Sequence, residues 1–223
     1  DPRTVAAPRL VDPIGYEEAV ELAHFGAKVL HPGAAKHAAS RGLDVRVRST
    51  FAPDRPGTRV LRERHGASGI AAIAHATGVV LIRVRSHPEA MPYGFLARVF
   101  DVLSRHQLPV DLVATSHTRT AFTIDAREDL EAVERELAAF ADVSVVSGLA
   151  TVTVVGRGLM SEPGSNARIF DAVGTTPVHL VSQASDVTLS LVVDAAEAPH
   201  LVRRLHAQLV EEAPPNASSP GNP

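Results

Sequence analysis

Apolar residues along this chain recur with two different periods, and their alternation sets the expected elements. From Tyr16 to Leu30, the residues Tyr16, Ala19, Val20, Ala23, Ala27 and Leu30 share one helical face. Glu17, Glu18 and Glu21 crowd its start, where the helix dipole favours anions. His31-Pro32 is expected to end that helix. A short helix over Ala34–Arg41 should stop at Gly42. Val45-Arg46-Val47-Arg48 alternates as a strand does, and Pro53, Pro56 and Gly57 read as the start of a linker. Beyond it, Val79–Val84, Val110–Ala114 and Thr120–Ile124 read as strands. Helices are expected over Gly94–His106, with Phe95, Val99, Phe100 and Leu103 inward, and over Glu128–Phe140, with Leu130, Val133 and Leu137 inward. The order then returns: strand Thr151–Val155, helix Gly164–Val173, strands Val178–Val181 and Thr188–Val193, and a helix burying Leu201, Val202, Leu205 and Leu209.

That return is also a repeat of residues. Gly94, Ala97, Arg98, Phe100 and Asp101 recur as Gly164, Ala167, Arg168, Phe170 and Asp171, with Val99 matched by Ile169. Val110-Asp111-Leu112 recurs as Val178-His179-Leu180, and Asp125 as Asp194. Each copy reads β-α-β-β-α, which is a ferredoxin-like plan with helices on one face of a small antiparallel sheet. Two such modules leave sheet edges to be paired, within the chain or between chains.

Composition removes several classes of function. The 223 residues carry 22 Lys and Arg against 25 Asp and Glu, a formal charge of −3, so bulk charge does not hold this protein to nucleic acid. The absence of Cys excludes disulfides, a thiolate nucleophile and Cys-ligated metal, and agrees with a reducing, cytoplasmic setting. No run reaches the roughly 18 apolar residues of a membrane span. The first residues, Asp1-Pro2-Arg3-Thr4, show no signal-peptide pattern, and the missing initiator Met points to a fragment. Glu211–Pro223, rich in Pro, Asn and Ser, is expected to be a disordered tail.

Motifs for catalysis are missing. There is no Gly-rich phosphate loop, no Gly-x-Ser-x-Gly elbow and no His-Glu-x-x-His, so no catalytic residue and no metal site is assigned. The 11 His are scattered, and His24 and His31, either side of Lys28, read as solvated or capping. Lys28 and Arg3 together could hold a polyphosphate, although a solvent-facing Lys fits the same spacing. A ligand cradle is suggested where His87–Tyr93 leads to a helix start at Gly94, whose N–H groups suit a carboxylate. Asp111 could pair with an ammonium group a few ångströms away, and Thr115 and Ser116 add hydroxyls. The same residues equally describe a capped helix and a strand-end Asp.

Phe25-Gly26-Ala27-Lys28-Val29-Leu30-His31-Pro32, preceded by Asp1-Pro2-Arg3 and followed by Val45-Arg46-Val47-Arg48-Ser49-Thr50-Phe51, closely resembles aspartate kinase. So does Gly94-Phe95-Leu96-Ala97-Arg98-Val99-Phe100 with Val110-Asp111-Leu112 and Thr115-Ser116, and the likeness runs from Asp1 to about Leu209. The resemblance implies the end of an amino-acid-kinase domain (1–58), a linker (59–68), a first ACT domain (69–148), a second (149–210) and a tail (211–223). It also allows 69–77 to be a strand of the second ACT domain. The family phosphorylates the side-chain carboxylate of aspartate with Mg-ATP, the first step toward lysine, threonine and methionine. The Lys-Phe-Gly-Gly motif that starts its kinase domain is absent, so this chain is expected to be inactive alone. By matching positions, Arg3, Lys28 and Val29 would contact nucleotide. Met91, Pro92, Gly94, Val110, Asp111, Thr115 and Ser116 would bind an amino-acid effector, lysine first and threonine second. In the lysine-inhibited branch the ligand lies near an interface between first ACT domains of two chains, which implies a homo-oligomer. His117 stands where many members carry Glu after Thr-Ser, which removes an ionic partner for a ligand ammonium. The alternatives are a ligand-free ACT scaffold and a stand-alone amino-acid sensor.

Overall fold

The computed structural model describes residues 4–5, 7–26, 30–62, 69–87, 93–126 and 128–211. Its N-terminal part begins with β1 (Ile14–Gly15) and α1 (Tyr16–His24). Glu18 is buried and accepts the Gly15 N–H at 2.8 Å, which secures the helix start. The helix stops six residues short of the expected Leu30, at a Phe25 cap followed by Gly26 with φ 105°. His31-Pro32 therefore does not end α1. It opens α2 (Pro32–Ser40), where His31 Nδ1 accepts the Gly33 N–H at 3.1 Å and Pro occupies a first-turn position that needs no donor.

β2 (Val45–Val47) pairs antiparallel with β3 (Thr58–Leu61), which pairs parallel with β1. The span expected to be linker at 59–68 thus begins as the central strand of a three-stranded sheet. Val60, 2 % exposed, packs there against Ile14, Tyr16, Ala19 and Ala38. A four-residue strand just after a Pro/Gly break carries too little periodicity to be seen in sequence. Residues 63–68 lie outside the described residues.

The rest is one six-stranded sheet built around two long strands, β4 (Gly69–Ser86) and β7 (Ala141–Arg157). Between them come α3 (Phe95–Arg105), β5 (Val113–Thr115), β6 (Arg119–Asp125) and α4 (Glu131–Ala138). After β7 follow α5 (Ser165–Val173), β8 (Leu180–Ser185), β9 (Thr188–Asp194), α6 (Ala198–His206) and a π-helical turn over Ala207–Glu211. The strand order is β5-β6-β4-β7-β9-β8. Val79–Arg85 of β4 pairs with β6, and Val79–Ser86 pairs with Ala141–Leu149 of β7. Gly69–Thr77 pairs instead with Ala150–Arg157, beside β9. Each long strand therefore serves both repeats.

Helices cover one face of each half. Val80, Ile82 and Val84 meet Phe95, Val99, Phe122, Val133 and Leu137 in the first core. Val152 and Val154 meet Ile169, Leu189, Leu201 and Leu205 in the second, with Ile70 and Ile73 packed against it. A third cluster lies on the opposite face, where Leu81, Leu112, Leu149, Leu180 and Val192 bring the two halves together and Phe25 and Leu22 of the N-terminal part join them. The long strands pass from one half to the other at Gly78 (φ 77°) and Gly148 (φ 75°). A Cβ would meet nothing within 4 Å at either, so glycine is required there by conformation alone. No helix among the described residues is long and apolar enough to cross a membrane.

Candidate ligand site in the first repeat

Arg3, Lys28, Val29, Met91 and Pro92 lie outside the described residues. Gly94, Val110, Asp111, Thr115 and Ser116 are described. Gly94 caps α3 in the left-handed conformation, φ 80° and ψ 1°, and Gly164 caps α5 in the same way at φ 81° and ψ −6°. The first turn of α3 carries no acidic side chain that would occupy its own N–H groups.

Thr115 ends β5, and the Ser116 N–H donates to the Arg119 carbonyl at 2.8 Å across the turn into β6. Ser86, the last residue of β4, donates to the Thr118 carbonyl at 2.9 Å. The chain leaves β4 at that end, so α3 starts at the end of the module where Thr115 and Ser116 lie. Both are exposed.

Asp111 is elsewhere. Its N–H donates to the Thr123 carbonyl at 3.0 Å, at the opposite end of β5. Four residues of extended chain separate it from Thr115, about 13 Å. The cradle of carboxylate site and acidic partner expected within a few ångströms is therefore not formed inside one chain. Asp111 faces the N-terminal part instead, with His24 Nε2 at 3.7 Å from its Oδ1. Burial pushes its carboxyl above the usual range, His24 partly offsets this, and Asp125 nearby adds to it. Val110 beside it is half-buried against the first core.

The second repeat closes its counterpart with its own side chains. His179, in the place of Asp111, pairs with Asp194 at 3.0 Å. Counting on from the Val110/Val178 match, Gln183 stands where Thr115 stands. Its Oε1 accepts from Asn166 Nδ2 at 3.0 Å and its Nε2 donates to Asn166 Oδ1 at 3.4 Å, tying β8 to the first turn of α5. Among the described residues, only the first repeat keeps these positions open.

Sequence reasoning missed two features. His24 read as solvated or capping, but it is the group beside Asp111; nothing local links residues so far apart in the chain. The second is a hollow of about 560 Å³ on the sheet face away from α3 and α4, lined among others by Arg83, Arg85, Thr115, Ser116, Arg119 and Asp142. The alternation of Arg83 and Arg85 on one strand face was the available signal.

The ACT domain family model matches residues 152–209. The lysine-sensitive aspartokinase 3 of Escherichia coli is 32% identical over 95% of this chain and 49% of its own length. The aspartokinase of Thermus thermophilus is 32% identical over 92% of this chain and 53% of its own. The chain thus spans about half the length of the curated relatives it matches. Among solved structures, E. coli aspartokinase III with aspartate and ADP (R-state) superposes with a TM-score of 0.87 at 32% identity, covering 94% of this chain and 49% of that one. Its complex with lysine and aspartate (T-state) gives 0.80 at the same identity, over 94% of this chain and 48% of that one. The ligand-free regulatory subunit of T. thermophilus aspartate kinase gives 0.55 at 27% identity, over 63% of this chain and 98% of that one.

Proposed function

This chain belongs to the aspartokinase family, of which it carries the C-terminal regulatory part, and on that premise we propose that it senses a free amino acid and relays its presence to an aspartate kinase catalytic region. The whole enzyme would transfer phosphate from Mg-ATP to the side-chain carboxylate of aspartate in the cytoplasm. Arg3, Lys28 and Val29 would contribute nucleotide contacts to it. The effector is lysine first, threonine second.

One observation carries the reading: among the described residues, the first repeat keeps the Gly94 helix start, Thr115 and Ser116 open, while the second ties the matching positions together through Asn166 and Gln183. A free amino acid presents its carboxylate to helix N–H groups and to hydroxyls. Its ammonium needs an acidic group, and within one chain Asp111 is too far along β5 to provide it. A second copy lying antiparallel beside this module would bring its own Asp111 to that end. The ligand is thus shared between two first modules, and binding favours one arrangement of the pair. A coupling of about 1–3 kcal/mol suffices for useful feedback.

Titration calorimetry of the 223-residue chain with lysine, threonine and methionine tests this. Binding of one of them, lost in Asp111→Ala, is the expected result. If none binds at millimolar concentration, the sensing role fails. The His24–Asp111 contact favours a second reading, in which Asp111 serves only to dock the first module on the N-terminal part and the paired modules are a ligand-free scaffold. Under that reading Asp111→Ala lowers stability and changes no ligand response.

A further inference from the structure

We infer that the hollow on the open sheet face of the first repeat is a binding pocket for a small polyanion, gripped by Arg83, Arg85 and Arg119. It goes beyond the amino-acid site, from which it differs in charge and shares only Thr115 and Ser116.

Register builds the pocket. Val80, Ile82 and Val84 face the helices, so Arg83 and Arg85 stand on the other face of β4. Arg83 lies opposite Ala121 on β6 and Ser144 on β7, and Ala121 lies opposite Ala114 on β5. Arg85 lies opposite Arg119 on one side and Asp142 on the other. The face therefore grades along β4 from Leu81, buried in the central cluster, to a row of small residues around Arg83, to a charged row at the end. Ala114, Ala121 and Ser144 leave the floor low enough for a ligand to reach the guanidinium groups. The volume, about 560 Å³, is that of a small-molecule site.

Charge selects the occupant. Like charges placed directly opposite on a sheet repel, and Arg85 and Arg119 are so placed. Asp142 answers only one of them: it accepts from Arg85 Nε at 3.0 Å and from Nη2 at 2.6 Å, and His87 also approaches it at 3.5 Å. Arg83 donates at 3.4 Å to the backbone carbonyl of His179, which carries no charge. Arg119 meets no carboxylate among the described residues. Among the described residues that line the hollow, three guanidinium groups against one carboxylate leave an excess of two positive charges. Guanidinium forks match carboxylate and phosphate oxygens, and Ser116 and Ser144 can add hydroxyl donors at the rim. A molecule with two or more such oxyanion groups fits; a cationic amino acid does not.

Calorimetry of the 223-residue chain at low ionic strength, with pyrophosphate in one arm and citrate in the other, tests the proposal. At least one should bind at one per chain, pyrophosphate marking a phosphate ligand and citrate a carboxylate ligand. Arg119→Gln and Arg83→Gln should each weaken it about tenfold, the loss of one charge-assisted contact. Arg119→Lys should weaken it less, because it keeps the charge and loses the fork. Arg135→Gln, on the exposed face of α4, should change nothing. Circular dichroism confirms that each variant is folded. No binding at 10 millimolar of either anion, or binding undiminished in Arg119→Gln, overturns the proposal. So does a ligand-free dimer that Arg119→Gln converts to monomer, since a second copy then covers this face. Lysine binding is measured separately, and its failure would leave this result standing.

Discussion

Asp111 and Asp186 show how one carboxyl can be set up or down by its surroundings. Burial raises the Asp111 carboxyl above its ordinary value of 3.8. The native state then holds that proton more tightly than the unfolded chain does. Stability is fully favoured below the ordinary value and falls as pH rises through the window up to the raised value. Asp111→Asn should flatten that part of the stability–pH curve and leave the chain at least as stable at neutral pH, read by thermal melts between pH 3 and 7. Asp186 is the opposite case. Burial pushes it up, but the N–H groups of Met160 at 2.8 Å, Ser161 at 3.0 Å and Gly158 at 3.1 Å, with the Ser161 hydroxyl, outweigh that and hold it low. Its contribution is present above the ordinary value and disappears as pH falls through the lowered one. Asp186→Ala leaves four donors to water at an exposed turn and should cost about 1 kcal/mol, measured by urea denaturation.

At the level of elements, the glycine hinges decide how the long strands behave. Gly78 and Gly148 both need a left-handed backbone in mid-strand, and neither position is crowded. Gly78→Ala and Gly148→Ala should each cost about 1–2 kcal/mol, entirely from backbone conformation. Urea denaturation of the two variants checks this, and a loss at only one of them would show that the halves are not bent alike. The repeat that announces these elements was legible in sequence because Gly94 and Gly164 begin equivalent helices with equivalent inward faces. α4 was longer in expectation, Glu128–Phe140, than in fact, Glu131–Ala138. The apolar period continues past both ends there, but beyond Ala138 the bonding tightens to the Phe140 N–H on the Leu137 carbonyl at 3.1 Å, which is no longer α-helical. The charged face that holds Arg83, Arg85 and Arg119 was half legible: two of the arginines alternate on one strand, while the third arrives from another strand by pairing.

For the whole molecule, the shared ladder of β4 and β7 makes the halves interdependent. Residues 79–147 contain all four strands of the first half in one stretch. Residues 149–211 lack the strand 69–77, without which Ala150–Arg157 presents an open sheet edge and Ile70 and Ile73 are missing from the second core. A chain of 149–211 alone should therefore aggregate or remain unfolded, and adding a 69–77 peptide should restore strand content by circular dichroism. A well-folded monomer without the peptide would contradict this. Leu81, fully buried in the cluster between the halves, should cost about 2–5 kcal/mol when changed to Ala, and should shift one common unfolding transition rather than one of two.

Periodicity and the recurrence of residues determined by themselves that there are two similar modules, which faces their helices bury, and that no catalytic motif is present. They did so because helix and strand faces are local properties, set by spacings of two to four residues. Only the tertiary structure decided that Gly69–Thr77 joins the far half, that Thr58–Leu61 is a central strand, and that Asp111 meets His24 at one end of β5 while Thr115 and Ser116 stand at the other. Those are choices of partner between segments far apart in the chain. They depend on which pairing buries both faces at once, a quantity that no short window of sequence contains.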